Sequence, residues 1–128
     1  MNIETLKEAL RATWTVDTAY WSDRNDWSED KRETGQCTIT AMIVFDYFGG
    51  TIYRGHSSKY NLFHYWNVVN GQKIDFTFSQ FVGSKDDITF EKVITKKKED
   101  LMKISNVRKR YQILKSKVEN YLLVKGEQ

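Results

Sequence analysis

The pair Asn70-Gly71 restricts the fold of this chain more than any other two residues. An Asn-Gly pair between two apolar runs selects a two-residue type I′ turn, whose central residues both require positive φ. The runs here are "LFHYWNVV" before the pair and "QKIDFTF" after it. With the turn set, Val69 faces Gln72 and every pair behind it follows, so Trp66 is predicted opposite Asp75 and His64 opposite Thr77. Opposed residues share a face and strand side chains alternate. The register therefore puts His64, Trp66, Asp75 and Thr77 on one side of the hairpin and Asn67 on the other. Asp75 becomes the diagonal neighbour of His64, at roughly 7 Å between backbone positions, within reach of a carboxylate.

Other elements follow from spacing. Ile3, Leu6, Leu10 and Trp14 predict a helix over residues 3–14 with Asn2 as its cap. The polar stretch after it, with Trp21 and Trp27, reads as a long loop pinned by its tryptophans. "CTITAMIVFDYF" is rich in β-branched residues, which favour a strand, but its length and the Gly49-Gly50 stop make it a helix. Apolar on nearly every side, that helix belongs at the centre of the fold, with Thr34 available to cap it. "TIYRG" is a further strand, "DITFEKVIT" a strand candidate, and His56 in "RGHSS" falls in a loop. Ile104, Val107, Tyr111, Leu114, Val118 and Tyr121 alternate steps of three and four, a helix of roughly five turns. It reads as covering the core, with a seam between two chains as the rival. The chain is accordingly compatible with a monomer or a homodimer.

At 128 residues this is one domain, 1–128, large enough to bury a core. No apolar run is long enough to span a bilayer, and "MNIETLKEAL" is not a signal segment, so no membrane association is expected. A single cysteine makes no internal disulfide, which points to a cytoplasmic protein. One Cys and two His leave too few ligands for a zinc site, and no metal or cofactor is expected.

Cys37, at the entrance of the apolar helix, reads on its own as a small buried hydrophobe. The hairpin changes that reading. A thiol is mostly protonated at neutral pH, but a helix N-terminus and an imidazolium both favour the thiolate. A carboxylate on the far side of the imidazole fixes its tautomer. Cys37, His64 and Asp75 together meet these requirements for nucleophilic thiol chemistry, with His56 as a rival base. An oxyanion also needs donors. The backbone N–H of Cys37 is one, and the second is sought in Gln36 or an indole N–H of Trp14, Trp21 or Trp66. Trp66 and the N-terminal tryptophans double as candidate substrate platforms.

"GQCTITAMIVFDYFGG", then "RG", "HYWN" and "IDFTFSQF", resemble the YunG-like family of small bacterial proteins of unknown function. That family's pattern runs W, G-Q-C, D-Y-F-G-G, R-G, H-Y-W-N and D-x-T-x-x-Q-F, and the match covers roughly residues 14–81. The chain lacks the prolines that relatives carry before G-Q-C, and it has Phe78 where a polar residue is expected. More distantly, the order Cys, H-x-W, D-x-T is similar to the transglutaminase-like branch of the papain-like fold. That resemblance implies Cys37 as nucleophile, His64 as base and acid, and Asp75 as orienter, in a compact version of the core.

The expected architecture is therefore α+β: a papain-like or transglutaminase-like minimal core, its central helix on a small antiparallel sheet, flanked by N- and C-terminal helices. The expected function is amide hydrolysis or acyl transfer through the thiol, on an amide or thioester substrate such as a peptide or protein side chain. A non-catalytic binding or regulatory module on the same fold is the alternative.

Charge supplies the third and weakest reading. Residues 1–84 hold 8 Lys/Arg against 10 Asp/Glu, whereas residues 85–128 hold 12 against 7. Without aromatic residues interleaved among the cations, this basic tail reads as a solubilising surface and no nucleic-acid partner is expected. No binding to DNA or RNA is predicted at physiological salt. Tight, salt-dependent binding lost on neutralising Lys96, Lys97, Lys98, Arg108, Lys109 and Arg110 would reverse that ranking.

Overall fold

The computed structural model describes residues 1–126; the last two residues of the chain lie outside the described residues. Helix α1 spans Ile3–Thr13, capped by Asn2, whose side chain accepts the Thr5 N–H at 2.8 Å. It stops one residue before Trp14, which turns to extended backbone and buries its ring. The Trp14 indole N–H donates to Thr40 Oγ1 at 3.0 Å, tying the end of α1 to the next helix.

Helix α2 spans Cys37–Phe48 and buries six consecutive residues, Ile39–Val44. Its β-branched run would favour a strand in isolation. Burial on all sides overrides that local preference, because the apolar surface is covered by the sheet on one side and by the C-terminal helix on another. Gly49, with φ of 71°, closes the helix as expected.

Four antiparallel strands follow: β1 Thr51–Ser57, β2 Leu62–Val69, β3 Gln72–Ile74 and β4 Glu91–Lys96, in the order β3-β2-β1-β4. The hairpin has the expected register, with Val69 opposite Gln72 and Asn67 opposite Ile74. Asn70 and Gly71 have φ of 51° and 78°, as a type I′ turn requires. Strand β3, however, ends at Ile74 rather than continuing to Phe78. Asp75 Oδ1 accepts the Thr77 N–H at 3.3 Å, and a local side-chain bond of this kind competes with the ladder. The chain then enters a 3₁₀ turn, Phe78–Phe81. The pairs Trp66–Asp75 and His64–Thr77 are consequently not ladder pairs.

Two more boundaries depart from the expected ones. Strand β1 runs through His56 and Ser57, so His56 lies on a strand opposite Phe63 rather than in a loop. The "DITFEKVIT" segment becomes strand only at Glu91, because Phe90 turns into an aromatic cluster with His64, Trp66 and Phe81. That cluster covers one face of the sheet.

The other face, through Ile52, Asn67, Val69 and Ile74, carries α2. A short helix α3, Lys98–Leu101, leads into α4, Ser105–Val124, which packs Val107, Tyr111, Leu114, Val118 and Leu122 into the core. Ile104, counted in the expected stripe, is instead the partly exposed residue before the helix. Asp46 of α2 binds the Tyr111 hydroxyl and the Lys98 ammonium, so a carboxylate at the rim of the core ties α4 to the central helix. Burial, and then the Asp46 charge, push the Tyr111 phenol up to about 12. Among the described residues no helix is long and apolar enough to cross a membrane.

The loop between α1 and α2 is pinned differently from the expectation. Trp27 donates its indole N–H to Arg32 O at 3.0 Å, but Trp21 is 66% exposed. Arg32 does the remaining work, donating to Trp14 O at 2.9 and 3.0 Å and to Ala12 O at 3.2 Å.

The contact that positions α2 on the sheet is Asn67 Nδ2 donating to Ala41 O at 2.9 Å, in a site where Asn67 is 2% exposed. Replacing Asn67 with Ala should destabilise the fold by about 1–3 kcal/mol in urea unfolding, the range for losing a buried hydrogen bond and its packing. A change near zero would show that apolar packing alone sets the helix on the sheet.

Candidate functional site

The segment entering α2 is held before the helix begins. Gly35 adopts φ of 73°, and a Cβ there would come within 2.9 Å of the Tyr20 backbone nitrogen, so only glycine fits. Gln36 is fully buried and is the residue preceding the helix. Its side-chain oxygen accepts from Thr18 Oγ1 at 2.8 Å and its Nε2 donates to Thr15 O at 3.0 Å. Its backbone N–H donates to Glu33 O at 3.2 Å. Gln36 thus fastens the loop to the helix, its amide turned into the fold and away from a ligand. No side chain caps α2, Thr34 included, so the N–H groups of Cys37, Thr38 and Ile39 have no acceptor among the described residues and carry the positive end of the helix dipole.

Cys37 is the first residue of that turn and is partly exposed. It opens onto a cleft of about 830 Å³ lined also by Thr38, Tyr65, Gln80, Phe81 and Arg110. Behind this lining sits His64, 0% exposed. Its Nε2 is 2.7 Å from Asp75 Oδ2, and the Asp75 side chain is 9% exposed. Beyond Ile74 no strand occupies the edge of β2 beside His64, and the Asp75 turn and the 3₁₀ segment close over the ring instead. Phe81 meets the ring edge-on at 5.0 Å between centroids and Phe90 stacks on it at 5.1 Å. The other ring nitrogen, Nδ1, is buried without a hydrogen-bond partner among the described residues.

Sulfur and imidazole lie close enough to change each other's proton affinity, although no S–H···N bond is closed. Burial pushes the Cys37 thiol up, but the His64 ring, the Tyr65 backbone N–H and the Thr38 side chain together hold it below its ordinary value. Burial also opposes a charge on His64, yet the Asp75 carboxylate and then the Cys37 sulfur push the imidazole up to about 9. With Nε2 committed to Asp75, Nδ1 is the nitrogen left for the thiol. The arrangement can move a proton from sulfur to ring and keep both ions.

The structure therefore brings Cys37, His64 and Asp75 together. It does not bring the other candidates to the sulfur. The Trp14 indole N–H is committed to Thr40, and Gln36 to Thr15 and Glu33. Trp66 is 8% exposed, lies outside the cleft lining, and stacks on Tyr53 at 6.3 Å with the Lys73 ammonium 4.7 Å from its ring. Its indole passes over Gly55, where a Cβ would sit 2.9 Å from the ring. Trp21 packs on Tyr20 at the surface. His56 Nε2 is 3.3 Å from Asn61 Oδ1 and lies outside the cleft lining.

Two cleft residues are not legible from local pattern. Arg110, counted with the basic tail, is 6% exposed and donates to Thr18 O at 3.1 Å, Gly35 O at 3.5 Å and Asn106 Oδ1 at 3.3 Å. It clamps the Gly35–Cys37 approach to α4 and puts a positive charge in the cleft wall. The available signal was its position three residues after Val107, on the buried stripe. Gln80 accepts the Gly35 N–H at 3.2 Å through Oε1, while its Nε2 is buried and unpaired. Its place in the D-x-T-x-x-Q-F motif marked it without giving it a role. Among the described residues no three His, Cys, Asp or Glu side chains converge to hold a metal ion.

Comparison with known proteins bears on the motif resemblance. The uncharacterized protein YunG of Bacillus subtilis (strain 168) is 33% identical over 79 residues, an alignment covering 62% of this chain and 63% of that relative. No solved structure matches significantly. The YunG protein family matches over residues 2–123, nearly the whole chain and well beyond the 14–81 stretch that carries the motifs. The chain belongs to the YunG protein family.

Proposed function

We propose that the protein is a thiol-dependent amidohydrolase or acyltransferase, built on a reduced papain-like or transglutaminase-like core, with Cys37, His64 and Asp75 as its triad. The observation that carries this reading is the imidazole: Asp75 holds one nitrogen at 2.7 Å, the other has no partner among the described residues, and the ring is near enough to Cys37 to lower the thiol's proton affinity. A buried ring nitrogen without a partner is costly for packing alone and calls for an explanation.

In this mechanism the Cys37 thiolate attacks the carbonyl carbon of an amide or thioester. The S–C bond forms and the carbonyl π pair moves to oxygen. The oxyanion collapses, the bond to the leaving group breaks, and the leaving amine or thiol takes the proton from His64 Nδ1. Water or an amine then attacks the acyl carbon and gives its proton to His64; the S–C bond breaks with its electron pair on sulfur, releasing the acid or the new amide and restoring the thiolate. Asp75 keeps Nδ1 facing the sulfur and stabilises the imidazolium.

The non-catalytic alternative draws on the complete burial of His64. It is separated from the catalytic reading by the thiol's reactivity. Iodoacetamide should label wild-type Cys37 well below the pH at which an ordinary thiol, with pKa near 8.5, reacts. His64→Ala should slow labelling near neutral pH by about tenfold or more, since each unit of thiol pKa is a factor of ten in thiolate. Asp75→Asn should slow it less, and His56→Ala should leave it unchanged. Labelling that appears only on unfolding, indifferent to His64, would refute the proposal; control by His56 would refute the choice of base.

The pH dependence has a definite sign. Cys37 is held below its ordinary value and His64 is raised to about 9, so the charged pair exists between those two values. Acyl transfer should rise as the thiol ionises and fall as pH passes about 9, where the ring loses the proton needed by the leaving group. Alkylation needs only the thiolate and should show no descending limb. Two limbs in the acyl-transfer profile against one in the alkylation profile is the pattern to measure.

A further inference from the structure

We infer that Gln80 supplies the second donor to the oxyanion, pairing its Nε2–H with the backbone N–H of Cys37. This rests on the acyl-transfer reading above. A tetrahedral intermediate at Cys37 needs donors aimed at where its oxygen develops charge. One is in place, because the Cys37 N–H opens the first turn of α2 and has no acceptor among the described residues. For the second, the Trp14 indole is used by Thr40, the Gln36 amide is turned to Thr15 inside the fold, and the Arg110 terminal nitrogens go to Thr18, Gly35 and Asn106, which leaves two buried donors of the cleft lining without a partner among the described residues, Arg110 Nε and Gln80 Nε2.

Of these two, Gln80 is the one whose amide is fixed by an N–H of the segment leading into Cys37. Its Nε2 is buried and has no partner, whereas its oxygen accepts the N–H of Gly35 at 3.2 Å. That bond fixes which end of the amide is which: the acceptor is turned to the backbone two residues before Cys37, and the NH₂ is left over. Both Gln80 and Cys37 line the same cleft. The amide is also held by its neighbour, since Gln80 precedes Phe81, whose ring meets His64 edge-on at 5.0 Å. One 3₁₀ turn thus carries part of the imidazole's cage and an unpaired donor. A buried N–H without an acceptor is unfavourable for the fold and calls for an explanation. An oxygen that becomes negative only during the reaction is an acceptor that the resting protein does not contain.

The test compares two reactions of the same sulfur in the full-length protein. Iodoacetamide is substituted at a saturated carbon and forms no oxyanion. Acylation by p-nitrophenyl acetate forms the S–C bond, passes through an oxyanion and releases p-nitrophenolate. Gln80→Met removes the donor and the Gly35 tether, and Gln80→Glu removes the donor but keeps an acceptor for Gly35. Expressed per thiolate from each variant's alkylation profile, both substitutions should lower the acylation rate about 10²–10³-fold, the usual effect of losing one such donor. Alkylation per thiolate should stay within about twofold of wild type, because it needs the thiolate alone. Acylation retained in Gln80→Glu but lost in Gln80→Met would show a tether to Gly35 instead, and overturn the inference. Acylation unchanged in both variants, or falling in step with alkylation, would overturn it equally while leaving the triad intact. A wild-type thiol that alkylates readily but never acylates would overturn the acyl-transfer reading, and the role of Gln80 with it.

Discussion

Asp75 is the residue on which the site depends, because its two carboxylate oxygens do different structural work. Oδ1 accepts the Thr77 N–H at 3.3 Å, and this local bond takes the chain out of the β ladder one residue after Ile74. Oδ2 lies 2.7 Å from His64 Nε2 and holds the imidazole in a site 0% exposed to solvent. The two roles require each other. Had strand β3 continued, a strand would cover the edge of β2 beside His64, and the 3₁₀ turn bearing Gln80 and Phe81 would be elsewhere. The same carboxylate makes it possible for a buried imidazole to carry charge at all, since burial alone would favour the neutral ring.

A second constraint acts on the thiol side. Three residues of the approach to α2 are held by segments far apart in the chain: Gly35 by Tyr20, Gln80 and Arg110, Gln36 by Thr15 and Thr18, and Cys37 by the start of the helix. Helix α4 therefore contributes to the cleft as well as to the core. Its buried Arg110 is costly to desolvate, and burial lowers its proton affinity; the carbonyls of Thr18 and Gly35 and the Asn106 side chain offset that cost at its terminal nitrogens. The family match over residues 2–123 is consistent with a fold in which the basic C-terminal region is part of the structural unit.

Helix α2 shows how tertiary packing overrules local preference. Its Thr-Ile-Thr and Ile-Val steps suit a strand, and only the length of the run and the Gly49-Gly50 stop spoke for a helix. Once the sheet and α4 cover it from both sides, an all-apolar helix is the more favourable solution, because its backbone bonds are satisfied within the segment. Asn67 and Asp46 then help fix its position, with hydrogen bonds to Ala41 O and from Tyr111.

Local pattern determined the elements that have a short period or a compulsory turn. These are the Asn70-Gly71 register, the buried stripes of α1 and α4, and the Asn2 cap; the partnership of His64 with Asp75 was also legible, although the turn after Ile74 makes it and not the continued ladder. It also placed Cys37 at a helix entrance. Tertiary structure alone decided the rest: that Gln36 and Trp14 spend their donors inside the fold, that Arg110 is buried, that β3 is short, and that the free amide is on Gln80. The physical reason is the range of the interactions. Turn geometry and amphipathic period are set by residues a few positions apart. The partner of a buried polar group is chosen among segments tens of residues away, and only after packing has removed water as a competing partner.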